Sequence, residues 1–270
     1  KAAAEEQREP AATSASLGWA PELPAAMGGA WSSGELVTAS FELQSGQSVT
    51  VRYRSRAGLG FMPWTGSFAL AAFLDARAAA LGLAEKAALE LGSGACSVSG
   101  LAAGHLCRSA VLSDRPEVVH DLYVLVQQAG LSRTVTVKVL DWMDLDFILE
   151  QQQPGEADLI LISDVVYFPT LWKPLLRTLL LLSSASTVVY WANCDSYPHF
   201  TPDLAGFLPL LEPFFHITVE DDRPQSDFAA SSAVPGGRVV VRSMRLIDEE
   251  QAHEEVERAM ARDCARRCIR

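Results

Sequence analysis

The stretch Lys86-Ala-Ala-Leu-Glu-Leu-Gly-Ser-Gly-Ala-Cys96 limits the fold more than any other part of the chain. An apolar run rises to Leu91, Gly92-Ser93-Gly94 turns the chain, and small and apolar residues resume as far as Leu101. This pattern predicts a buried strand, a tight turn and the start of a helix. The two glycines let backbone N–H groups come close to a ligand where a side chain would block the approach. Glu90 puts an acid at the C-terminal end of the strand, the edge where ligands bind in a parallel α/β sheet.

The flanking sequence repeats the alternation. Strands are expected at Leu89–Leu91, Ala110–Asp114, Val135–Leu140, Asp158–Ser163 and Thr187–Ala192. Between them lie helical patterns beginning at Ser97 and Pro116 and running over Leu171–Leu182, while Pro202–Leu211 reads as a further helix after the fifth strand. Phe214–Val219 and Gly237–Ile247 follow without a helix between them, so they pair as a hairpin and give the sheet one antiparallel strand. Upstream, Val37–Phe41 and Ser48–Arg54 alternate about Gln44-Ser-Gly-Gln47 as a separate β-hairpin, and Ser67–Leu81 reads as a helix.

The expected domain covers residues 34–247. Residues 1–33, rich in Ala, Glu, Pro, Ser and Gly without periodicity, read as a disordered tail. Residues 248–270 carry Ala252, Val256, Met260, Cys264 and Cys268 on one stripe, which predicts an amphipathic terminal helix.

The net charge of −11 argues against a nucleic-acid partner and is compatible with a basic protein substrate. The five cysteines form no C-x-x-C pair and the five histidines are scattered, so no metal site is expected and the thiols suggest a reducing compartment. With no secretory pattern and no apolar run long enough to span a bilayer, the expected location is cytoplasmic or nuclear, with no membrane partner.

The turn excludes two nucleotide classes. No lysine follows Gly94, as a phosphate-binding Walker loop requires, and the G-x-G-x-x-G dinucleotide pattern lacks its third glycine, the position being Ser97. What remains is acid-x-Gly-x-Gly with a second acid, Asp114, at the tip of the next strand. A carboxylate there can accept both ribose hydroxyls of an adenosine, whether in S-adenosylmethionine or NAD. It can equally serve as an N-cap for the helix that follows.

Taken together, Met62-Pro-Trp64, Leu89-Glu-Leu-Gly-Ser-Gly94, Ser113-Asp114, Leu140-Asp-Trp142 and Asp158-Leu-Ile-Leu-Ile-Ser-Asp-Val-Val-Tyr167 resemble a known family. It is the seven-β-strand (class I) protein-lysine methyltransferase family, which includes the methyltransferases of valosin-containing protein and of heat-shock chaperones. The likeness runs over roughly residues 36–247 and extends to Leu171-Trp-Lys-Pro-Leu-Leu-Arg-Thr-Leu179. It implies a Rossmann-like seven-stranded sheet with helices on both faces. It also implies S-adenosyl-L-methionine as cofactor and methyl transfer to a lysine amine of a protein substrate, a chaperone or ATPase among the candidates, by a monomeric enzyme.

By that resemblance Gly92, Ser93 and Gly94 line the amino-acid end of the cofactor and Glu90 helps hold its ammonium. Asp114 binds the ribose, Trp142 lies against the adenine, Trp64 closes over the methionine part and Ser163 offers backbone near the adenosine. Asp164 and Tyr167 stand at the mouth where the substrate amine enters, as catalytic residues. The bland alternatives are sheet-end packing for Trp142, a helix cap for Asp164 and core filling for Tyr167. Three features depart from the family pattern: Cys96 at a small turn position, Leu125 where an asparagine is expected, and a long polar loop over 223–236, on the side that helps choose the substrate in that family. The competing functions are the same cofactor with a histidine or small-molecule nitrogen acceptor, and a non-catalytic methyltransferase-like interaction protein.

Overall fold

Leu159, Ile160, Leu161 and Ile162 are all buried, which only a strand covered on both faces permits. In the computed structural model, which describes residues 35–54, 58–197, 204–228 and 235–268, this strand lies at the centre of a seven-stranded sheet. The expectation for residues 1–33 falls outside the described residues. The parallel strands are β3 (Ala87–Leu91), β4 (Ser109–Asp114), β5 (Val135–Val139), β6 (Leu159–Ser163) and β7 (Val188–Cys194). The hairpin of β8 (Phe215–Pro224) and β9 (Arg238–Leu246) completes it, with β9 inserted antiparallel between β7 and β8. The order β5-β4-β3-β6-β7-β9-β8 is that of the expected α/β methyltransferase sheet. A separate two-stranded hairpin, β1 (Leu36–Glu42) with β2 (Ser48–Arg54), precedes it and turns at Gly46, which has φ 82°.

Seven helices fill in around the strands among the described residues. They are α1 (Thr65–Leu81), α2 (Val98–Leu106), α3 (Pro116–Gln128), α4 (Leu145–Gln151), α5 (Pro169–Leu182), α6 (Leu204–Leu211) and α7 (Glu249–Cys268). Strand alternation sorts the core into two layers. Ala88, Leu112, Leu161, Tyr190 and Ala192 pack with Phe68, Leu70 and Leu74 of α1 and Leu101 of α2. Leu89, Leu91, Ile160, Ile162, Val189 and Trp191 pack with Leu175 and Leu179 of α5 and Phe207 of α6. The sequence pattern did not give α4, a seven-residue helix capped by Asp144, which accepts from the Phe147 N–H at 3.1 Å. No described helix is long and apolar enough to cross a membrane.

Chain direction fixes where a site can form. From β3 the chain moves outward through β4 and β5, then returns across the sheet to β6 on the other side of β3. The C-terminal ends of β3 and β6 therefore flank a topological switch point, where the connections diverge and leave a crevice. The Gly92 turn and Asp164 lie at those two ends.

Leu70 is fully buried in α1, on the layer that supports this crevice. Leu70→Ala should cost about 2–5 kcal/mol in urea-induced unfolding; a loss well below about 1 kcal/mol would contradict the packing described.

Candidate active site

The glycine turn is held from three sides. Gly92 and Gly94 adopt φ 70° and 63°, in the left-handed region open to glycine at no steric cost. A side chain at Gly92 would also place its Cβ 2.9 Å from Val165 Cγ1 and 3.0 Å from Trp142 Cζ2. The Ser93 N–H donates to the Ser113 carbonyl at 2.9 Å, and the Ser113 N–H returns a bond to Ser93 Oγ at 3.1 Å. The Ala95 N–H donates to the Gly60 carbonyl at 2.7 Å, tying the turn to the loop before α1.

Asp114, at the end of β4, accepts from the Gly94 N–H and from its neighbour Arg115 N–H, each at 2.8 Å. It thus fixes the turn but does not cap α3, whose N-cap residue is Arg115 and has no side-chain cap bond. A carboxylate offers about four acceptor sites, so roughly two remain for a ligand. Burial pushes its carboxyl above the ordinary range, against the pull of the two N–H donors. Beside the turn, the Trp142 ring packs on Gly92, and its indole Nε1 is buried without a hydrogen-bond partner among the described residues. Ser163 ends β6, half-buried, paired in register with Ala192.

Glu90 departs from its expected role. β3 alternates, so Glu90 points with Ala88 into the α1–α2 layer, beneath the turn and 2% exposed. Both carboxylate oxygens are taken: the Ser97 hydroxyl donates to one, and the Ser99 hydroxyl to the other at 2.5 Å. Burial raises its carboxyl, and bonds from Ser97, Ser99 and Ser93 oppose the rise. It is placed to hold the turn from below, which its position in the sequence did not reveal.

The same serines close the N-terminus of α2. Ser67 Oγ accepts from the Val98 and Ser99 N–H groups at 3.1 and 3.0 Å, and Ser97 Oγ accepts from the Gly100 N–H at 2.8 Å. Helix N-termini that receive a pyrophosphate leave such N–H groups open to it. Here three of them are spent on hydroxyls, with the Glu90 carboxylate behind them. The site therefore disfavours a phosphate-bearing ligand, and NAD with it.

Asp164 also differs from the expectation of a residue at an open mouth. It is 6% exposed and has φ 52°, an uncommon conformation for a residue other than glycine. Its Oδ2 accepts the Gly66 N–H at 2.6 Å and its Oδ1 the Cys194 N–H at 2.9 Å. Because the N-cap residue Trp64 makes no side-chain cap bond, Asp164 caps α1 from 98 residues downstream in sequence. A Cβ on Gly66 would lie 2.5 Å from the carboxylate. Burial raises the Asp164 carboxyl, against the pull of the Cys194 and Gly66 N–H donors.

Tyr167 is half-buried, edge-to-face on Phe168 with centroids 4.7 Å apart. Burial pushes its hydroxyl up to about 12; the charge of Asp114 adds to the rise and that of Arg115 opposes it. Tyr167 and Asp114 therefore share one electrostatic neighbourhood. Trp64 is half-buried, donates from Nε1 to the Leu59 carbonyl at 2.8 Å and meets the Tyr197 ring edge-on. Cys96 turns its thiol away from the crevice, toward the carbonyls of Phe61 at 3.5 Å and Arg52 at 3.8 Å. Leu125 is a buried core residue of α3. Among the described residues no group of His, Cys, Asp and Glu is arranged to hold a metal.

The family model described as lysine methyltransferase matches residues 44–198. Protein N-lysine methyltransferase METTL21A of Danio rerio is 32% identical over 137 residues, 50% of this chain and 60% of that protein. The Mus musculus protein of the same name is 30% identical over 173 residues, 63% of this chain and 75% of that one. The chain thus spans about three fifths of the length of the fish relative. Among solved structures, P. horikoshii TYW2 in complex with MeSAdo aligns over 79% of this chain and 72% of its own, with 11% identity and a TM-score of 0.48.

Glu90, Asp114 and Asp164 all hold protons more tightly when folded than when unfolded. Their ionisation therefore costs stability, a cost absent below the ordinary carboxylate values near 4 and complete above the raised ones. The unfolding midpoint should rise as the pH is lowered from about 8 to about 5. Asp164→Asn should flatten that rise and cost about 1–3 kcal/mol, because an amide NH2 would face an N–H donor. A wild-type midpoint that falls over this range in differential scanning calorimetry would contradict the assignment.

Proposed function

The chain belongs to the lysine methyltransferase family, and we propose that it transfers a methyl group from S-adenosyl-L-methionine to a lysine side-chain amine of a protein substrate. The observation that carries this reading is the serine-plugged N-terminus of α2 beside a free adenosine-type donor and acceptor set. A cofactor without phosphates has no need of the Val98, Ser99 and Gly100 N–H groups. Asp114 keeps acceptor sites for ribose hydroxyls, and the buried Trp142 Nε1 is a donor still to be matched. The residues present fit the cofactor.

When bound, S-adenosylmethionine supplies a methyl group activated on a sulfonium sulfur. The chain holds it through Asp114 at the ribose, the Trp142 face at the adenine, Ser163 backbone near the adenosine and the Gly92-Ser93-Gly94 backbone at the amino-acid end. Trp64 closes over the methionine part. Glu90 acts through the turn it supports rather than on the cofactor's ammonium. Methyl displacement is in line, so the work of these groups is alignment of the reacting atoms.

Tyr167 stands at the mouth to orient the incoming amine. Asp164 has both oxygens on backbone donors, so its part is to hold the start of α1 and the end of β7 beside the mouth. The apolar surroundings lower the pKa of a lysine amine that enters. The net charge of −11 favours a basic acceptor segment, and a chaperone or ATPase is the finer reading of the acceptor, methylated by a monomeric enzyme. The buried free thiols of Cys96, Cys107 and Cys194 support a reducing compartment, cytoplasm or nucleus.

Isothermal titration with S-adenosylhomocysteine tests the reading. Micromolar binding is expected, with Asp114→Ala weakening it about 100-fold. Trp142→Phe should weaken it about 10-fold while moving the unfolding midpoint by only a few degrees, since its indole N–H makes no bond in the free protein. No binding by the wild-type protein would overturn the proposal.

A further inference from the structure

The four residues between β6 and α5 are each held by a different neighbour. The Asp164 carboxylate receives the Gly66 and Cys194 N–H groups. Val165 packs against the glycine turn, its Cγ1 2.9 Å from where a Cβ on Gly92 would stand. Val166 is 1% exposed, and its carbonyl accepts from the indole Nε1 of Trp172 at 3.0 Å. Tyr167 comes last, half-buried, with its ring edge-on against Phe168.

Trp172 lies in the first turn of α5, buried, and its ring is fixed from behind. Phe207 of α6 meets it with centroids 5.8 Å apart, and Trp191 of β7 meets Phe207 edge-on at 5.4 Å. The Arg242 guanidinium of β9 sits over the Trp191 ring at 5.0 Å. Phe207 and Trp191 are fully buried. The indole is thus packed in one place, and its N–H has one direction in which to donate.

We propose that Trp172 is a positioning residue for the acceptor amine: its indole N–H fixes the peptide plane between Val166 and Tyr167, and with it the point from which the Tyr167 side chain reaches the mouth. The inference rests on the methyltransferase reading above and deepens it. A peptide unit is planar, so a bond to the Val166 carbonyl orients the Tyr167 N–H and Cα together. At the other end of the segment Asp164 is held at φ 52° by its own bonds, so the run is fixed on both sides of the two valines. An indole that only fills the core would change stability when replaced and leave the chemistry of the folded protein as it was.

Trp172→Phe keeps an aromatic ring and removes the donor. Calorimetry with S-adenosylhomocysteine should give it an affinity within about twofold of wild type, because no group on the cofactor depends on the bond. The rate of tritiated methyl incorporation from S-adenosylmethionine into cell-lysate protein, read at saturating cofactor and below the unfolding midpoint, should fall about 10-fold. The KM for S-adenosylmethionine should be unchanged. The loss should run through Tyr167: in a Tyr167→Ala background, Trp172→Phe should change the rate by less than about twofold. A Trp172→Phe rate equal to wild type, an affinity that falls in parallel with the rate, or losses that multiply in the double variant would each overturn the proposal while leaving the methyltransferase reading intact. If Trp172→Phe does not fold, Phe207→Leu, which loosens the ring behind the indole and keeps the donor, is read in the same cycle against the same outcomes. If Tyr167→Ala is too slow to measure, the split between rate and affinity decides. Wild-type protein that binds no S-adenosylhomocysteine, or that labels no lysate protein, would overturn both readings.

Discussion

The buried carboxylate of Glu90 is the contact on which the crevice depends. An ionised group without a cation beside it is costly to remove from water, and here the compensation comes from hydroxyls. Ser97 and Ser99 donate to the two oxygens, and Ser67 joins Ser99 at 2.9 Å. Three elements, α1, β3 and α2, therefore meet on one charge. The network also fixes its neighbours: a Cβ on Gly100 would collide with the carboxylate and lie 2.7 Å from Leu112 Cγ. With the N-terminus of α2 sealed in this way, the turn above it offers a surface suited to a nucleoside and not to a phosphate.

Asp164 repeats the device on the other side of the switch point. Glu90 lies under the end of β3; Asp164 extends from the end of β6. Each carboxylate is satisfied by uncharged donors: for Glu90 the Ser97 and Ser99 hydroxyls at the start of α2, seven and nine residues on, and for Asp164 backbone N–H groups at the start of α1 and the end of β7, remote in sequence. The Asp164 carboxylate gains from the N-terminal dipole of α1, as a side-chain cap would. Burial pushes both carboxyls up, so keeping either ionised is costly for stability.

The sheet was legible because its strands are continuous apolar runs separated by helix-period segments, and the lack of a helix before β9 implied the final antiparallel hairpin; the order across the sheet was not legible. The site was legible in part. Glycines, Asp114 and the tryptophans sit at strand ends, where position in sequence implies position in the crevice. Orientation was harder. Strand alternation placed Glu90 on the face of Ala88, but its donors, Ser97 and Ser99, lie across the turn, seven and nine residues on, and Ser67 reaches them only through Ser99. Asp164 looked like a mouth residue because its donors, Gly66 and Cys194, are remote in sequence. The short α4 gave too few periods to register, though Asp144 marks its start.

Cys96 illustrates how a departure from a family pattern is absorbed. At a position where a small residue keeps a turn open, a side chain matters only if it points toward the ligand. Here the thiol points the other way, to the carbonyls of Arg52 and Phe61. Arg52 belongs to β2, part of a two-stranded hairpin of a kind that is marginal on its own. Val49, Val51 and Tyr53 bury the underside of that hairpin in the same core layer as α1 and α2. The thiol contact adds a weak, directional tie at the point where the turn enters α2. Burial pushes the thiol up to about 12, so it stays protonated and able to donate. A glycine at this position would remove that tie and leave the hairpin to its apolar contacts and the Gln44 N–H bond to Asp75 of α1 at 2.9 Å.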